Sequence, residues 1–521
     1  MTPRERAAAH PQLMLFAVCA SATAMFMAIT NVFAALPSIG AKLGSSQSEL
    51  QWTADCYPLV LASLLLPAGV LADRFGRRTF LITGLSILSV SLLAASEASS
   101  PTTLIMCLCA AGLGSGLSFP STLATITGAV NDAQRSTAVA LWASAVPLGG
   151  VSGALLAGLV IQVSSYSTQF VVTGIIAATC LVLCVWVVPE TRDASHASLD
   201  MIGAVLSAGA VASLVVGLTV APTRGWHNVL TVSWLVGGAV LFSAFIQWEL
   251  RTAQPLLDIR LFRIRAFSTA SATMLLLFAG LYALVFLSYQ WEAYVLGYNS
   301  IRAGVGLAPF AALMLPFALA GSKLGKRVGT RPVISMALCL ALVGCIVLST
   351  AALTQAYWTL AVGIAVFGGG IGLAAGPGTV AISSHLPAAR QGVASAVNDL
   401  SRELGATFGV AVVGTAFNAG YRHHIRHMLN IHADPLAQRV ITSPAEATRA
   451  IEGSGRPAGY YHHVVTAATN SGWAAATLTL AAAFTCGLVL FRARYPELPS
   501  RERRGQPAQP QRDRQLAQET T

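Results

Sequence analysis

Long apolar runs separated by short polar connections fill this chain from end to end. A run of about 18 or more apolar residues is long enough to cross a bilayer as a helix. Such runs recur at 13–37, 50–72, 79–97, 102–129, 137–162, 168–188, 199–220, 229–249, 267–290, 302–324, 332–352, 357–380, 392–418 and 467–491. Helices satisfy their own backbone polar groups away from water, so the pattern predicts an all-α membrane protein with fourteen spans. The first run carries Thr30 and Asn31 and lacks a cleavage site, which predicts a retained helix rather than a signal peptide.

Composition closes off the soluble alternative. The chain is 55% hydrophobic and only 10% charged, against about a quarter charged in soluble proteins. Charge then sets the orientation. With the N-terminus cytoplasmic, the short loops on the far side hold only Lys42, Arg224 and Arg302, while most other basic residues stay on the cytoplasmic side. Both termini are therefore expected in the cytoplasm. The abundance of arginine and alanine over lysine points to a GC-rich bacterial source, and the expected location is the bacterial inner membrane. The net charge of +11 is dispersed among connections facing an anionic leaflet, so it argues for a lipid bilayer and against nucleic acid as partner. All nine cysteines lie inside spans, which leaves no disulfide framework. No phosphate-cradling glycine loop is present, and no nucleotide, cofactor or metal is expected.

The connection between the second and third runs is short and highly charged: Gly69-Val70-Leu71-Ala72-Asp73-Arg74-Phe75-Gly76-Arg77-Arg78-Thr79-Phe80-Leu81. Its glycines predict a tight helix contact, and Asp73, Arg74, Arg77 and Arg78 form a fixed cluster of charge at the membrane surface that other helices can grip or release, a candidate conformational gate. Ser322 to Arg331 repeats this spacing, with Lys326 in the place of Asp73. Gly370 and Gly372 likewise echo Gly114 and Gly116, and Arg390 echoes Arg135. Two related halves with a site at their interface follow from this pattern. The expected divisions are a six-helix bundle at 1–198, two inserted helices and a cytoplasmic linker at 199–266, and a second six-helix bundle at 267–495. That second bundle includes a long outer loop at 419–466, and 496–521 forms a disordered tail.

Ionisable groups within spans are costly and mark function by default. Asp55 lies in the second span, while Asp399, Arg402 and Glu403 share the thirteenth, with the two acids one turn apart on one face. A carboxyl shielded from water favours its neutral form and can exchange a proton for a cation. The same residues admit plainer roles: Asp399 and Glu403 neutralising Arg402, and Asp55 making a packing hydrogen bond. Glu292 and Gln247 are expected at the membrane surface. Gly149, Gly153 and Gly158 allow the fifth span to bend or pack closely. Six histidines, His423, His424, His427, His432, His462 and His463, fall in 419–466 and predict an amphipathic surface segment.

The 69–81 turn resembles the loop between the second and third helices of the major facilitator superfamily, G-x-L-a-D-R-x-G-R-R. Leu50-Gln51-Trp52-Thr53-Ala54-Asp55-Cys56-Tyr57-Pro58-Leu59-Val60 and Glu403 to Val412 resemble that superfamily's fourteen-span drug:proton antiporters. The resemblance implies two six-helix bundles plus two extra helices and no enzymatic activity. It implies a monomer that exports amphipathic or cationic small molecules in exchange for protons, with Asp55, Asp399 and Glu403 as coupling or cation-binding acids. The sequence also departs from the pattern. Ala28 stands where the family has an acid, Leu108 where it has an arginine, and Ala154 where its fifth-helix motif has proline. Those changes leave open an exporter or facilitator of a specific metabolite without the usual coupling. A polytopic enzyme or sensor is the remote alternative.

Overall fold

The computed structural model describes residues 11–45, 47–130, 132–191, 200–252, 255–298, 300–383, 391–428, 444, 447 and 458–496. Arg390, His432 and the tail beyond Pro496 lie outside the described residues, as does the side chain of Arg135. The described chain is helical throughout. Its long helices are α1 (Pro11–Leu43), α2 (Gln47–Phe75), α3 (Arg77–Ser96), α4 (Pro101–Ala129), α5 (Asp132–Val163), α6 (Tyr166–Val187) and α7 (Met201–Arg224). They continue as α8 (Val229–Arg251), α9 (Arg265–Tyr294), α10 (Ala308–Val328), α11 (Thr330–Thr354), α12 (Tyr357–Ser383), α13 (Gln391–Met428) and α14 (Ala458–Arg494). A short helix, Ser300–Gly306, precedes α10.

Among the described residues, 13 helices are long and apolar enough to cross a membrane. The remaining long helix is α13, whose apolar sequence is interrupted by Asn398, Asp399, Arg402 and Glu403. Several hydroxyls in other helices are satisfied locally. Ser21, Ser63, Thr379 and Thr477 each donate their hydroxyl to the carbonyl four residues back.

Two apolar cores form. One draws on α1 to α6, with Phe26, Phe119, Trp142 and Phe170 among its buried rings. The other draws on α9 to α14 around Phe278, Trp291, Phe367 and Trp473. The extra helices α7 and α8 pack on each other. Val211 and Val215 of α7 also meet Ala62 of α2, with Leu59, Leu400 and Leu404 against the same cluster. The fold is therefore two six-helix bundles plus two additional helices.

The internal echo holds in three dimensions. Gly114 is pressed against α3 at Gly84 and Leu88, and Gly116 against α2 at Leu61 and Leu64. Gly370 meets α11 at Ala337 and Ala341, and Gly372 meets α10 at Met314 and Ala318. In both bundles the paired glycines bring the fourth helix against the third and the second, where a side chain would collide.

Two expectations change. The segment 419–466 is helical at both ends, since α13 runs on to Met428 and α14 begins at Ala458. Tyr421 and Ile425 are buried and extend the α13 packing face beyond the apolar run. Glu292, expected at the surface, is fully buried. Gly306 explains why: with no side chain of its own, its backbone lies directly over the Glu292 carboxyl. Gln247 is exposed.

Candidate functional site

Helix α13 packs against α2 and α4 of the first bundle and against α9 and α14 of the second. Its polar residues therefore sit between the two halves. Asp399 is 0% exposed, Arg402 1% and Glu403 6%. Asn398 orients the first of these: its Nδ2 donates to Asp399 Oδ1 at 3.0 Å, and its Oδ1 accepts from Thr379 Oγ1 of α12 at 3.1 Å. Asp399, Tyr282 and Glu403 all lie within electrostatic range of Arg402, and Glu403 also reaches Tyr57 of α2. The three residues predicted from the thirteenth span thus form one buried group.

Arg402 is held in an unusual way. Among the described residues, none of its three guanidinium nitrogens has a hydrogen-bond partner. Instead its Cζ lies 4.8 Å from the Trp142 ring centroid and 4.4 Å from that of Phe278. Trp142 belongs to α5 and Phe278 to α9, so the contact joins the two bundles. Ring faces attract a cation through their quadrupole, and the attraction strengthens away from water. Trp142 is itself fixed, since Nε1 donates to Thr122 Oγ1 at 2.8 Å and its ring stacks on Phe119 at 5.6 Å.

Asp55 does not join this group. It is half-buried and makes no hydrogen bond or ion pair with the described residues. Its neighbour Tyr57 reaches inward, donating to the Met25 carbonyl at 2.9 Å and sharing a hydrogen bond with Ser115. Ala28 and Leu108 are buried in apolar packing at the positions where the resemblance implied an acid and an arginine.

The charged turn forms a compact clamp. Arg77 Nε lies 2.8 Å from Asp73 Oδ1, and both side chains are buried. Arg77 also donates to the Ala124 carbonyl of α4 at 3.3 Å. Gly76 adopts φ +117°, a left-handed conformation suited to glycine. Glu190, just past α6, closes over it: its carboxylate accepts from Arg78 N at 3.2 Å and Thr79 Oγ1 at 2.9 Å. Arg78 Nη2 donates to the Val185 carbonyl at 2.8 Å. Gly69 is buried, and half-buried Arg74 lies over the exposed Phe75 ring.

In α5, Gly149 and Gly153 pack tightly against Thr23, Met27 and Thr30 of α1, and Gly158 is buried. Their role among the described contacts is close approach. At the far end of α13, His423 and His427 rings meet at 4.5 Å. Burial, and then these two neighbours, hold the His424 imidazole below its ordinary range.

Sequence reasoning missed Trp142, Phe278, Glu190 and the burial of Glu292. Trp142 had a visible signal, a lone large ring in the small-residue stretch Ala140-Leu141-Trp142-Ala143-Ser144. The others were set by partners distant in the chain.

The family model described as Major Facilitator Superfamily matches residues 16–410. The chain belongs to the major facilitator superfamily. Its members are transporters rather than enzymes. Among curated relatives, the multidrug efflux pump LfrA of Mycolicibacterium smegmatis is 31% identical over 77% of this chain and 80% of that protein. The multidrug resistance protein Stp of Mycobacterium tuberculosis is 29% identical over 80% and 76%. The cephamycin export protein CmcT of Amycolatopsis lactamdurans is 30% identical over 78% and 85%. Among solved structures, the human organic anion transporter MFSD10 superposes with a TM-score of 0.62, covering 94% of this chain and 100% of that one at 14% identity. The proton:xylose symporter XylE gives 0.59, with 94% and 97% covered at 14% identity. These structures share the fold alone. The protein is therefore a multi-pass membrane transporter of this superfamily.

Proposed function

We propose that this transporter is a proton-coupled exporter of amphipathic organic cations, working by alternating access. The observation that carries this reading is the buried Asp399–Arg402–Glu403 group on the helix that contacts both bundles. Two carboxyls and one guanidinium leave a single negative charge when all are ionised, and that charge can be balanced by a proton or by a cationic drug. Exchange follows because the two compete. A relative named as a multidrug efflux pump supports the direction of transport. Exchange of one proton for one monovalent cation moves no net charge, so the pH difference alone drives it, at about tenfold accumulation per pH unit.

In this reading Asp55 gathers cations or protons toward the far side of the first bundle, and the 69–81 clamp holds the cytoplasmic side. The protein acts as a monomer in the bacterial cell membrane with both termini in the cytoplasm. The bundles at 1–198 and 267–495 move as units about the 199–266 pair. A specific-metabolite exporter is the second reading, supported by apolar Ala28 and Leu108 in the first bundle.

The deciding experiment uses everted vesicles with ethidium as cation, an anionic dye and a neutral dye, each with and without a proton gradient. Gradient-dependent ethidium transport that is lost in Glu403→Gln is expected. Gradient-independent transport, or transport of the anion alone, would refute proton–cation exchange.

A further inference from the structure

We infer that the Trp142–Phe278 pair is the binding cage for the cationic group of the substrate, and that Arg402 is its resident placeholder. This inference rests on the cation-exporter reading and adds the residues that take the cation. A guanidinium at 4.8 Å and 4.4 Å from two ring centroids occupies the place an organic cation would take. Its nitrogens make no hydrogen bonds with the described residues, so none of these fixes it there by a directional bond. The cage walls, by contrast, are rigid: Trp142 is anchored by Thr122 and Phe119, and both rings are almost wholly buried.

The alternative seat for Arg402 lies on its own helix. Asp399 and Glu403 flank it, with Tyr282 of α9 alongside and Tyr57 of α2 facing Glu403. When a drug cation enters the cage, Arg402 swings toward the two carboxylates, and the number of cations between the rings stays at one. When a proton from water binds either carboxylate, that seat loses one negative charge. Arg402 then returns to the rings and the drug leaves. One O–H bond forms on the carboxyl as one breaks in the hydronium that supplies the proton; one proton is bound and one cation is released. The placeholder thus links proton uptake to drug release through one side chain.

The placeholder lowers apparent affinity by the fraction of time that it fills the cage. Binding to the purified full-length protein, without any gradient, therefore tests the idea. With tetraphenylphosphonium as probe and isothermal titration as readout, Arg402→Gln is expected to bind about tenfold more tightly than wild type. Trp142→Leu is expected to bind about tenfold more weakly, with Trp142→Phe close to wild type. Unfolding midpoints report whether each variant is intact. If Arg402→Gln does not fold, Arg402→Lys decides, because lysine keeps the charge but is a poorer ring partner; a severalfold gain in affinity is expected. Unchanged or weaker phosphonium binding in the folded Arg402 variant would overturn the proposal. So would loss of tetraphenylborate binding in that variant with phosphonium binding unaltered, which would make Arg402 an anion ligand. A failure of proton coupling in vesicles would leave these equilibrium results intact, so the two readings fail separately.

Discussion

The two charged turns, Gly69 to Leu81 and Ser322 to Arg331, share a spacing but are packed differently. Each has a glycine in the left-handed region, Gly76 at φ +117° and Gly329 at φ +91°. Each has an arginine that ties the turn to the last helix of its bundle. Arg78 donates to the Val185 carbonyl at 2.8 Å, and Arg331 to the Arg492 carbonyl at 2.7 Å. The difference lies between these shared parts. The first copy buries the Asp73–Arg77 pair and seats Glu190 over Gly76. The second has exposed Lys326 and half-buried Thr330 at those positions, and Gly329 faces open space. The shared arginines therefore hold each bundle together, while the buried pair belongs to one half only. The two turns are thus asymmetric, with the buried pair in the first bundle.

The largest contrast is expected at the buried pair. Arg77→Ala leaves the Asp73 carboxylate in its buried seat without the guanidinium, at a cost of about 3–5 kcal/mol. Thr330→Ala in the second copy should cost less than about 1 kcal/mol. Chemical unfolding of the purified variants measures both, and equal losses would abolish the distinction.

The glycines come next. Gly76→Ala meets both the backbone penalty and Glu190, whose Oε1 would lie 2.5 Å from the new Cβ. Gly329→Ala meets only the backbone penalty, about 1 kcal/mol. Gly76→Ala should therefore lower the unfolding midpoint further, and part of its loss should return in Gly76→Ala/Glu190→Ala. No recovery in the double variant would show that Glu190 does not press on this turn.

Glu190→Gln tests a smaller term. The amide still accepts one hydrogen bond but loses the charge that strengthens both, for an expected loss of about 1 kcal/mol. The smallest difference is predicted for the shared feature. Arg78→Ala and Arg331→Ala should each destabilise by about 1 kcal/mol through the hydrogen bond that each arginine donates to a helix-end carbonyl. A large gap between them would break the claim that this part of the two turns is equivalent.

Much of this arrangement was written plainly along the chain. Apolar run lengths located the helices, since the bilayer tolerates little else. The spacing of Gly114 and Gly116 against Gly370 and Gly372 exposed the repeat. Asp399, Arg402 and Glu403 stood out because charges in a span need a reason. What remained hidden depended on partners far away in the chain. Nothing near Arg402 names Trp142 and Phe278 as its neighbours, and the bare backbone at Gly306 alone explains why Glu292 is buried. Hydropathy also hid the end of α13, where Tyr421 and Ile425 bury themselves among histidines and arginines. Asp55 shows the converse: its sequence context marked it strongly, yet it sits apart from the buried group.

Competition between proton and cation is the central claim, and proton release on binding tests it most directly. Tetraphenylphosphonium is added to the purified protein in a weakly buffered solution while the pH is recorded. Wild-type protein should release protons as the cation binds, and Asp399→Asn/Glu403→Gln should release almost none. Cation binding by the wild type with no proton released, or undiminished release from the double variant, would contradict exchange at these two carboxyls.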